Sequence, residues 1–117
     1  MMRIMLKSKI SFPTITEAQL YYKGSITIDQ KIMIAADLFE GERVDILNRN
    51  TGARLQTYVI KGEPGSGVIC LNGPAARMGC KGDKLVIISY GFFSEEEVQN
   101  FKPKCVEVDD ENRVTNI

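Results

Sequence analysis

The sequence predicts a small, mainly β, barrel-like domain that spans residues 1–117. Residues 3–10 alternate between two faces, which is typical of a strand, and residues 84–90 form the strongest strand signal. Turn residues divide the chain at short intervals, and the helical segments between them are brief. Many short strands with little helix favour a compact β architecture.

The N-terminal segment predicts a strand with two distinct faces. The motif Phe12-Pro13 then breaks the alternation, and the chain continues extended. Lys9 falls on the polar face, where a lysine is usually solvated. The other face of the predicted strand carries four residues: Ile4, Leu6, Ser8 and Ile10.

A short helix is predicted after Asp29, a residue suited to cap a helix N-terminus. Gly41 suits the C-terminal cap. Residues 18–22 fit a strand or a helix, and Lys23-Gly24-Ser25 interrupts the pattern. Apolar residues recur at helical spacing through the predicted helix: Ile28, Ile32, Ala35, Ala36 and Phe39.

The remaining segments alternate strands with turns. Asn72-Gly73-Pro74 is a sharp turn that opens a helical turn ending at Gly79, and Ser94 caps a second short helix. The tail from Asp109 is polar and predicted to be loose. Strands are predicted over residues 44–47, 53–60, 68–71, 84–90 and 105–108.

Composition excludes several classes of function. Fifteen Lys and Arg residues balance fifteen Asp and Glu residues, so we expect neither a nucleic-acid partner nor a membrane surface. The chain contains no histidine, which excludes an imidazole base and any His-ligated metal. Its three cysteines are widely spaced and indicate neither a disulfide framework nor a metal site. Without a signal-peptide or membrane-spanning pattern, we expect a cytoplasmic protein.

Gly24-Ser25 is a dipeptide with the chemical capacity to cleave itself. Glycine lacks a Cβ, so strained backbone can leave its carbonyl open to attack. The Ser25 hydroxyl can add to that carbonyl and shift the acyl group from nitrogen to oxygen. Elimination of the ester then splits the chain, and the resulting dehydroalanine hydrolyses to a pyruvoyl group with loss of ammonia. Gly65-Ser66 is the same dipeptide in an evident loop, so the pair alone is more typical of a surface turn.

Two further segments have chemical potential. On a strand, Arg54, Gln56 and Tyr58 share one face and Thr57 points the other way unless a bulge turns it. Such a face is more often simply exposed. A helix opening at Asn72-Gly73-Pro74 would present free backbone N–H groups, although an ordinary strand-to-helix turn has the same pattern.

Together these segments resemble the pyruvoyl-dependent aspartate α-decarboxylases. The similarity covers about three quarters of the chain in a single register and the length fits. It departs from the family pattern at Pro74, where alanine is usual, and proline removes one backbone N–H from the site. The segments that carry it are Met5-Leu6-Lys7-Ser8-Lys9, Tyr22-Lys23-Gly24-Ser25, Ile28-Asp29, Thr57-Tyr58, Asn72-Gly73 and Gly82-Asp83.

The resemblance implies a double-psi β-barrel with short helices, assembled as a homotetramer with sites between subunits. It implies self-cleavage of the zymogen between Gly24 and Ser25 into residues 1–24 and 25–117. The covalent pyruvoyl group formed from Ser25 would take the amine of L-aspartate as a Schiff base. The products would be carbon dioxide and β-alanine, which supplies pantothenate and coenzyme A biosynthesis.

The same resemblance implies roles for individual residues. Lys9 and Arg54 would hold substrate carboxylate, and Tyr58 would donate the proton. Thr57 would assist self-cleavage and border the substrate, while Tyr22 and Asn72 support the site. The backbone that contacts the ligand would come from Gly73, Pro74 and Ala75.

Two alternatives stay open at this point. The first is a non-enzymatic small β-barrel that serves as a binding or oligomerisation module, since fold does not determine function. The second is a pyruvoyl enzyme that acts on another amino acid. Cleavage at Ser25 discriminates against the first, because a binding module has no reason to break its chain there.

Overall fold

The computed structural model describes residues 1–22 and 24–116. Two short α-helices, α1 (Gln30–Ala35) and α2 (Glu95–Asn100), and a 3₁₀ helix (Gly73–Met78) interrupt the strands. The strands in this part of the chain are β1 (Met2–Thr14), β2 (Glu17–Gln19), β3 (Ser25–Asp29), β4 (Arg43–Asn48), β5 (Arg54–Gly62), β6 (Ile69–Asn72), β7 (Lys84–Ser94), β8 (Lys104–Val108) and β9 (Val114–Asn116).

The strands form one mixed sheet in the order β2-β6-β3-β5-β4-β7-β1-β8-β9. The pairs β1/β8, β2/β6 and β3/β5 are parallel, and the other neighbours are antiparallel. Isoleucines dominate the buried core, where Ile26, Ile46 and Ile87 are at most 1% exposed. The predicted mainly β class is confirmed, and the double-psi barrel topology stays a prediction.

A β-bulge in β1 overturns the predicted division of its two faces. Leu6 pairs with Tyr90 and Ser8 with Ser89, so β1 has one residue more than β7 at Lys7. The extra residue reverses the alternation, which leaves Ile4 65% exposed while Ser8 and Ile10 are buried. The four residues predicted to share one face therefore divide between two.

The predicted break at Phe12-Pro13 is an irregularity within β1. Phe12 adopts a φ of 61°, and the register against β7 shifts between Ser11 and Thr14. The strand nevertheless continues to Thr14. Residues 18–22, which fit a strand or a helix by sequence, form the end of the short strand β2 and then bends at Tyr21 and Tyr22.

Helix α1 begins as predicted and ends early. The carboxylate of Asp29 accepts a hydrogen bond from the Lys31 backbone N–H at 2.8 Å, which confirms the N-cap. The predicted C-cap at Gly41 is wrong, because Asp37 takes the left-handed conformation with φ 55°. The Leu38 N–H bonds back to the Met33 carbonyl at 2.8 Å in a Schellman-type ending. Ile28 lies in β3 instead, and Phe39 is exposed.

The other predicted elements are confirmed with small changes in their ends. Strands β4 and β5 form the predicted hairpin, and the turn after Asn72 is a 3₁₀ helix with Pro74 in its first turn. Helix α2 begins with a complete capping box between Ser94 and Glu97. Strand β8 contains the predicted segment 105–108.

The prediction of a loose tail is wrong, because Asn112 fastens it to the rest of the molecule. The buried Asn112 side chain accepts from the Thr14 N–H at 2.7 Å and donates to the carbonyls of Thr14 and Gly67 at 2.8 Å each. Beyond it, β9 pairs with β8. A single polar side chain thus supplies the tertiary contacts that a polar composition did not suggest.

Candidate active site

Ser25 is the first residue of β3 and is completely buried. The sequence pattern predicts an interruption at residues 23–25, but Ser25 is already in the strand, where it pairs with Asn72 of β6. Lys23 lies outside the described residues. The chain therefore delivers the hydroxyl of Ser25 into the protein interior immediately after Gly24.

Asn72 holds the Ser25 hydroxyl through its side-chain amide. Its Nδ2 donates to Ser25 Oγ at 2.8 Å and to Thr27 Oγ1 at 3.0 Å. Its Oδ1 accepts a hydrogen bond from the Cys70 thiol, with Sγ 3.2 Å away. We call these four residues, Ser25, Thr27, Cys70 and Asn72, the serine cluster.

Thr27 and Cys70 are members of this cluster that the sequence analysis missed. The sequence contained part of the signal for these residues. Residues 25 and 27 lie two apart on one strand and residues 70 and 72 two apart on another, so each pair shares a face of its strand. The pairing of Ser25 with Asn72 and of Thr27 with Cys70 brings all four side chains to one face. Only the antiparallel register between β3 and β6 reveals this.

The thiol of Cys70 stays protonated in this setting. Burial raises its pKa above the ordinary thiol value, and the negative charge of Glu17 raises it further. A hydrogen bond from the backbone at Gln19 opposes these effects and is the smallest of the three. At neutral pH the group facing Asn72 is therefore an S–H donor.

Gly73 lets the chain after β6 approach the backbone around Gly24. Its φ is +62°, and a Cβ there would collide with the Tyr22 carbonyl oxygen and lie 2.8 Å from the Gly24 nitrogen. Pro74 also approaches this segment, since its Cδ lies 3.6 Å from the position of a Cβ built on Gly24. The first turn of the 3₁₀ helix thus packs against the N-terminal side of the Gly24–Ser25 bond.

Tyr22 and Ala75 flank this contact in different ways. The Tyr22 side chain is 54% exposed, and its backbone carbonyl faces Gly73. Ala75 is 6% exposed and packs in the core, whereas Pro74 is exposed.

Strand β5 presents Arg54, Gln56 and Tyr58 on one exposed face, as predicted. The register with β4 continues without a bulge from Arg54 to Tyr58, so Thr57 points to the opposite face. On the other side, β3 runs parallel to β5 with Ile26 beside Val59. If this register continued backwards by two residues, Ser25 would lie beside Tyr58 and Gly24 beside Thr57. We call Arg54, Gln56 and Tyr58 the β5 face.

Lys9 shares the β5 face but lies across the sheet. The pairings Lys9–Ile88, Ile88–Asp45 and Asp45–Gln56 form one row over four strands. Paired residues point to the same side of a sheet, so the bulge in β1 turns Lys9 toward this face. Three strand spacings of about 4.8 Å place the Lys9 backbone about 14 Å from β5.

This arrangement suits attack by a hydroxyl on a neighbouring carbonyl. It supplies a serine that follows a glycine, an amide donor on the serine oxygen, and cations and a phenol on the adjoining face. Among the described residues, no group of three or more His, Cys, Asp or Glu side chains is arranged to hold a metal ion. No helix in this part of the chain is long and apolar enough to span a membrane.

Comparison with known proteins assigns the chain to a family. The family model described as aspartate decarboxylase matches residues 1–115. An aspartate 1-decarboxylase of Acetivibrio thermocellus is 56% identical over 113 residues, and one of Bacillus cereus is 54% identical over 114 residues. Each alignment covers 97% of this chain and 90% of the relative. The chain belongs to the aspartate decarboxylase family.

Proposed function

We propose that this protein decarboxylates L-aspartate to β-alanine and carbon dioxide, after cleaving its own chain between Gly24 and Ser25. The observation that carries the proposal is the buried Ser25 hydroxyl, which directly follows a glycine and is held by Asn72 at 2.8 Å. The relatives named above are aspartate 1-decarboxylases, which supports the substrate and the reaction. We infer that the β-alanine enters pantothenate and coenzyme A biosynthesis in the cytoplasm.

Self-cleavage begins with attack by Ser25 Oγ on the Gly24 carbonyl carbon. The C–N bond breaks as the ester forms, and the proton of the hydroxyl ends on the released amine. Loss of the Ser25 α-proton and cleavage of its Cβ–O bond leave a carboxylate on Gly24 and a dehydroalanine. Water then replaces the nitrogen of dehydroalanine, which leaves as ammonia. Thr57, beside Gly24 in the extended β3/β5 register, is the residue we infer to assist the attack.

The residues present fit a pyruvoyl group at position 25. The segment before it is tightly packed against Gly73, and Asn72 Nδ2 donates to Ser25 Oγ at 2.8 Å, so an amide donor lies next to the residue from which the group would form. Such a group supplies an electrophilic ketone for the substrate amine and an electron sink for the departing carbon dioxide. Asn72 and the Gly73 turn are the residues we infer to hold it.

The β5 face supplies substrate binding and proton transfer in this proposal. The Arg54 guanidinium has the planar donor pattern that a carboxylate accepts, and Lys9 supplies a second cation on the same face. Tyr58 lies beside Ser25 in the extended register, so its hydroxyl is the proton donor we infer in a chain without histidine. The backbone carbonyl of Tyr22 faces Gly73, and we infer that Tyr22 supports the site from this position.

The backbone of the 3₁₀ helix completes the inferred ligand contacts. Gly73 and Ala75 retain backbone N–H groups, and Pro74 does not. Any contact that other family members make through an N–H at this position is absent here, which leaves the Pro74 carbonyl and the Ala75 N–H.

We infer a homotetramer in which neighbouring subunits complete each site. Support comes from the exposed apolar side chains of Ile4, Tyr90 and Phe92, which line a groove of about 370 Å³ on the same side of the sheet as the β5 face. The separation of Lys9 from β5 also favours a substrate site built from two chains, because within one chain Lys9 and Arg54 lie far apart. A second subunit would cover the groove and enclose Arg54.

Intact-mass measurement of the purified protein tests the proposal. We expect two species, residues 1–24 and residues 25–117, with a pyruvoyl group on the longer one, together with β-alanine production from L-aspartate. A chain that stays whole after prolonged warm incubation, with any maturation partner supplied, would contradict self-cleavage and favour a binding module. Cleaved protein that acts on another amino acid and not on aspartate would contradict the substrate.

A further inference from the structure

Cys70 contacts the serine cluster without entering the proposed chemistry. It lies on β6, is 4% exposed, and its Sγ is 3.2 Å from Asn72 Oδ1. The Asn72 Nδ2 on the other side of the same amide reaches two hydroxyls, those of Ser25 and Thr27. Cys70 is therefore separated from Ser25 by a single side chain.

The two hydroxyls alone do not determine which way the Asn72 amide points. A hydroxyl can donate or accept, so Ser25 and Thr27 could pair with either the oxygen or the nitrogen of the amide. A protonated thiol differs, because it has a proton to donate and is only a weak acceptor. It favours the orientation in which Oδ1 faces Cys70 and the NH₂ group faces Ser25. Burial keeps this thiol in its protonated form by raising its pKa.

The orientation of the amide determines what Ser25 does with its proton. With Nδ2 toward Ser25, the serine oxygen accepts a hydrogen bond, and its own proton is free to leave during attack. With the amide reversed, Ser25 would donate its proton to Asn72 Oδ1 and hold it there. Only the first arrangement leaves the hydroxyl proton available to the departing amine of the Gly24–Ser25 bond.

We propose that Cys70 is a positioning residue for self-cleavage, which acts by holding the Asn72 amide with its NH₂ group toward Ser25. This inference rests on the proposed function, since it concerns the rate of the same cleavage. It assigns no chemical step to the thiol, and it requires only a hydrogen-bond donor at position 70.

Three variants test the proposal: Cys70→Ser, Cys70→Ala and Cys80→Ala. Serine and alanine are both smaller than cysteine, and they differ from each other by one hydroxyl. Comparing the two variants therefore distinguishes the loss of the hydrogen-bond donor from the loss of side-chain volume. Cys80 is exposed, and Cys80→Ala controls for the loss of a thiol elsewhere. Each protein is isolated uncleaved, its Tm is measured, and the appearance of residues 25–117 is followed by mass spectrometry.

We expect Cys70→Ala to cleave about 5- to 30-fold more slowly than wild type, a factor within the range for a buried hydrogen-bond acceptor that loses its donor. Cys70→Ser should cleave within about threefold of wild type, because its hydroxyl donates to the same oxygen. Cys80→Ala should match wild type. A defect of packing alone would instead slow the serine and alanine variants equally.

The result that overturns the inference is wild-type cleavage by Cys70→Ala, or equal slowing in the two Cys70 variants. If Cys70→Ala does not fold, Cys70→Val takes its place, since valine fills the space without a donor, and the same comparison with Cys70→Ser applies. Wild-type protein that never cleaves would overturn the proposed function and this inference together. If the wild type cleaves and a Cys70 variant without a hydrogen-bond donor cleaves at the same rate, the inference about Cys70 is overturned and the proposed function is not.

Discussion

The serine cluster and the β5 face lie on adjoining strands but differ in how complete they are. In the serine cluster, Ser25 and Asn72 are buried and their side chains are joined by a hydrogen bond. On the β5 face, Arg54 is exposed and Tyr58 is 42% exposed, and a groove of about 410 Å³ beside Arg54 is open to solvent. The side chains of the serine cluster are therefore organised within one chain, whereas those of the β5 face remain exposed to solvent.

This difference separates the two halves of the proposed function. Self-cleavage needs a fixed hydroxyl and carbonyl, which are neighbours in one chain. Recognition of a small dicarboxylate needs cations in a site that excludes water, because charge pairs are weak when solvated. Changes in the serine cluster should therefore alter cleavage, and changes on the β5 face should alter turnover by protein that is already cleaved.

The largest expected effect is on cleavage in Ser25→Ala. This variant has no nucleophile at position 25, so we expect the chain of residues 1–117 to stay whole and to have no decarboxylase activity. Ser66→Ala is the matched control, since Gly65-Ser66 is the same dipeptide in an exposed turn, where Ser66 Oγ donates to the Glu63 carbonyl. Intact mass after equal incubation checks both variants. Fragments from Ser25→Ala that end at Gly24 would refute the assigned nucleophile.

The next effect in size is on turnover in Tyr58→Phe. The ring and its packing remain, so cleavage should proceed at close to the wild-type rate. A positioned general acid contributes about 10²–10⁴-fold in rate, and we expect kcat to fall by that factor with little change in KM. Steady-state assays on fully cleaved protein measure both constants. A normal kcat would mean that water or another side chain supplies the proton.

A smaller loss is expected for Arg54→Ala. A hydrogen bond to a charged group contributes about 1.5–3 kcal/mol, which corresponds to about 13- to 160-fold in kcat/KM for aspartate. Cleavage should be unaffected, because Arg54 lies four residues from Tyr58 and outside the serine cluster. Arg113→Ala is the control, since Arg113 is an exposed arginine whose guanidinium lies 3.6 Å from the Glu111 carboxylate. Equal kcat/KM in the two variants would remove Arg54 from the substrate site.

The smallest effect is expected on the thermal stability of Asp83→Asn, because Asp83 lies in neither the serine cluster nor the β5 face. Asp83 accepts hydrogen bonds from the Asn48 side chain at 2.9 Å and the Cys80 N–H at 3.0 Å, and these bonds lower its pKa in the folded state. Its ionised form therefore stabilises the fold above the unfolded-state pKa of about 3.9, and this stabilisation is lost as the pH falls through the folded value. Wild type should exceed Asp83→Asn in Tm by a few degrees at most at pH 7.

The Tm difference between Asp83→Asn and wild type should begin to shrink as the pH falls below about 4 and be smallest once the pH lies below the lowered folded-state pKa of Asp83, because only then are both proteins uncharged at this position. Thermal unfolding at several pH values measures it. Cleavage and turnover at pH 7 should match wild type. A Tm difference that does not depend on pH would show that the charge of Asp83 contributes nothing to stability.

The sequence by itself determined the features that depend on neighbouring residues. The hairpin of β4 and β5, the N-cap at Asp29 and the capping box at Ser94 all follow from local pattern and side-chain chemistry. The common face of Arg54 and Tyr58 follows from the period of a strand. The resemblance to the decarboxylases also needed no coordinates, since it depends on motifs at fitting spacings.

Only the tertiary structure decided the features that depend on partners far along the chain. The bulge at Lys7 appears when β1 pairs with β7, and it turns Lys9 to the face of Gln56. Asn112 anchors the tail through contacts on two distant segments, which a polar composition could not indicate. Cys70 reaches Asn72 because register, and not sequence spacing alone, determines which side chains of β3 and β6 share a face.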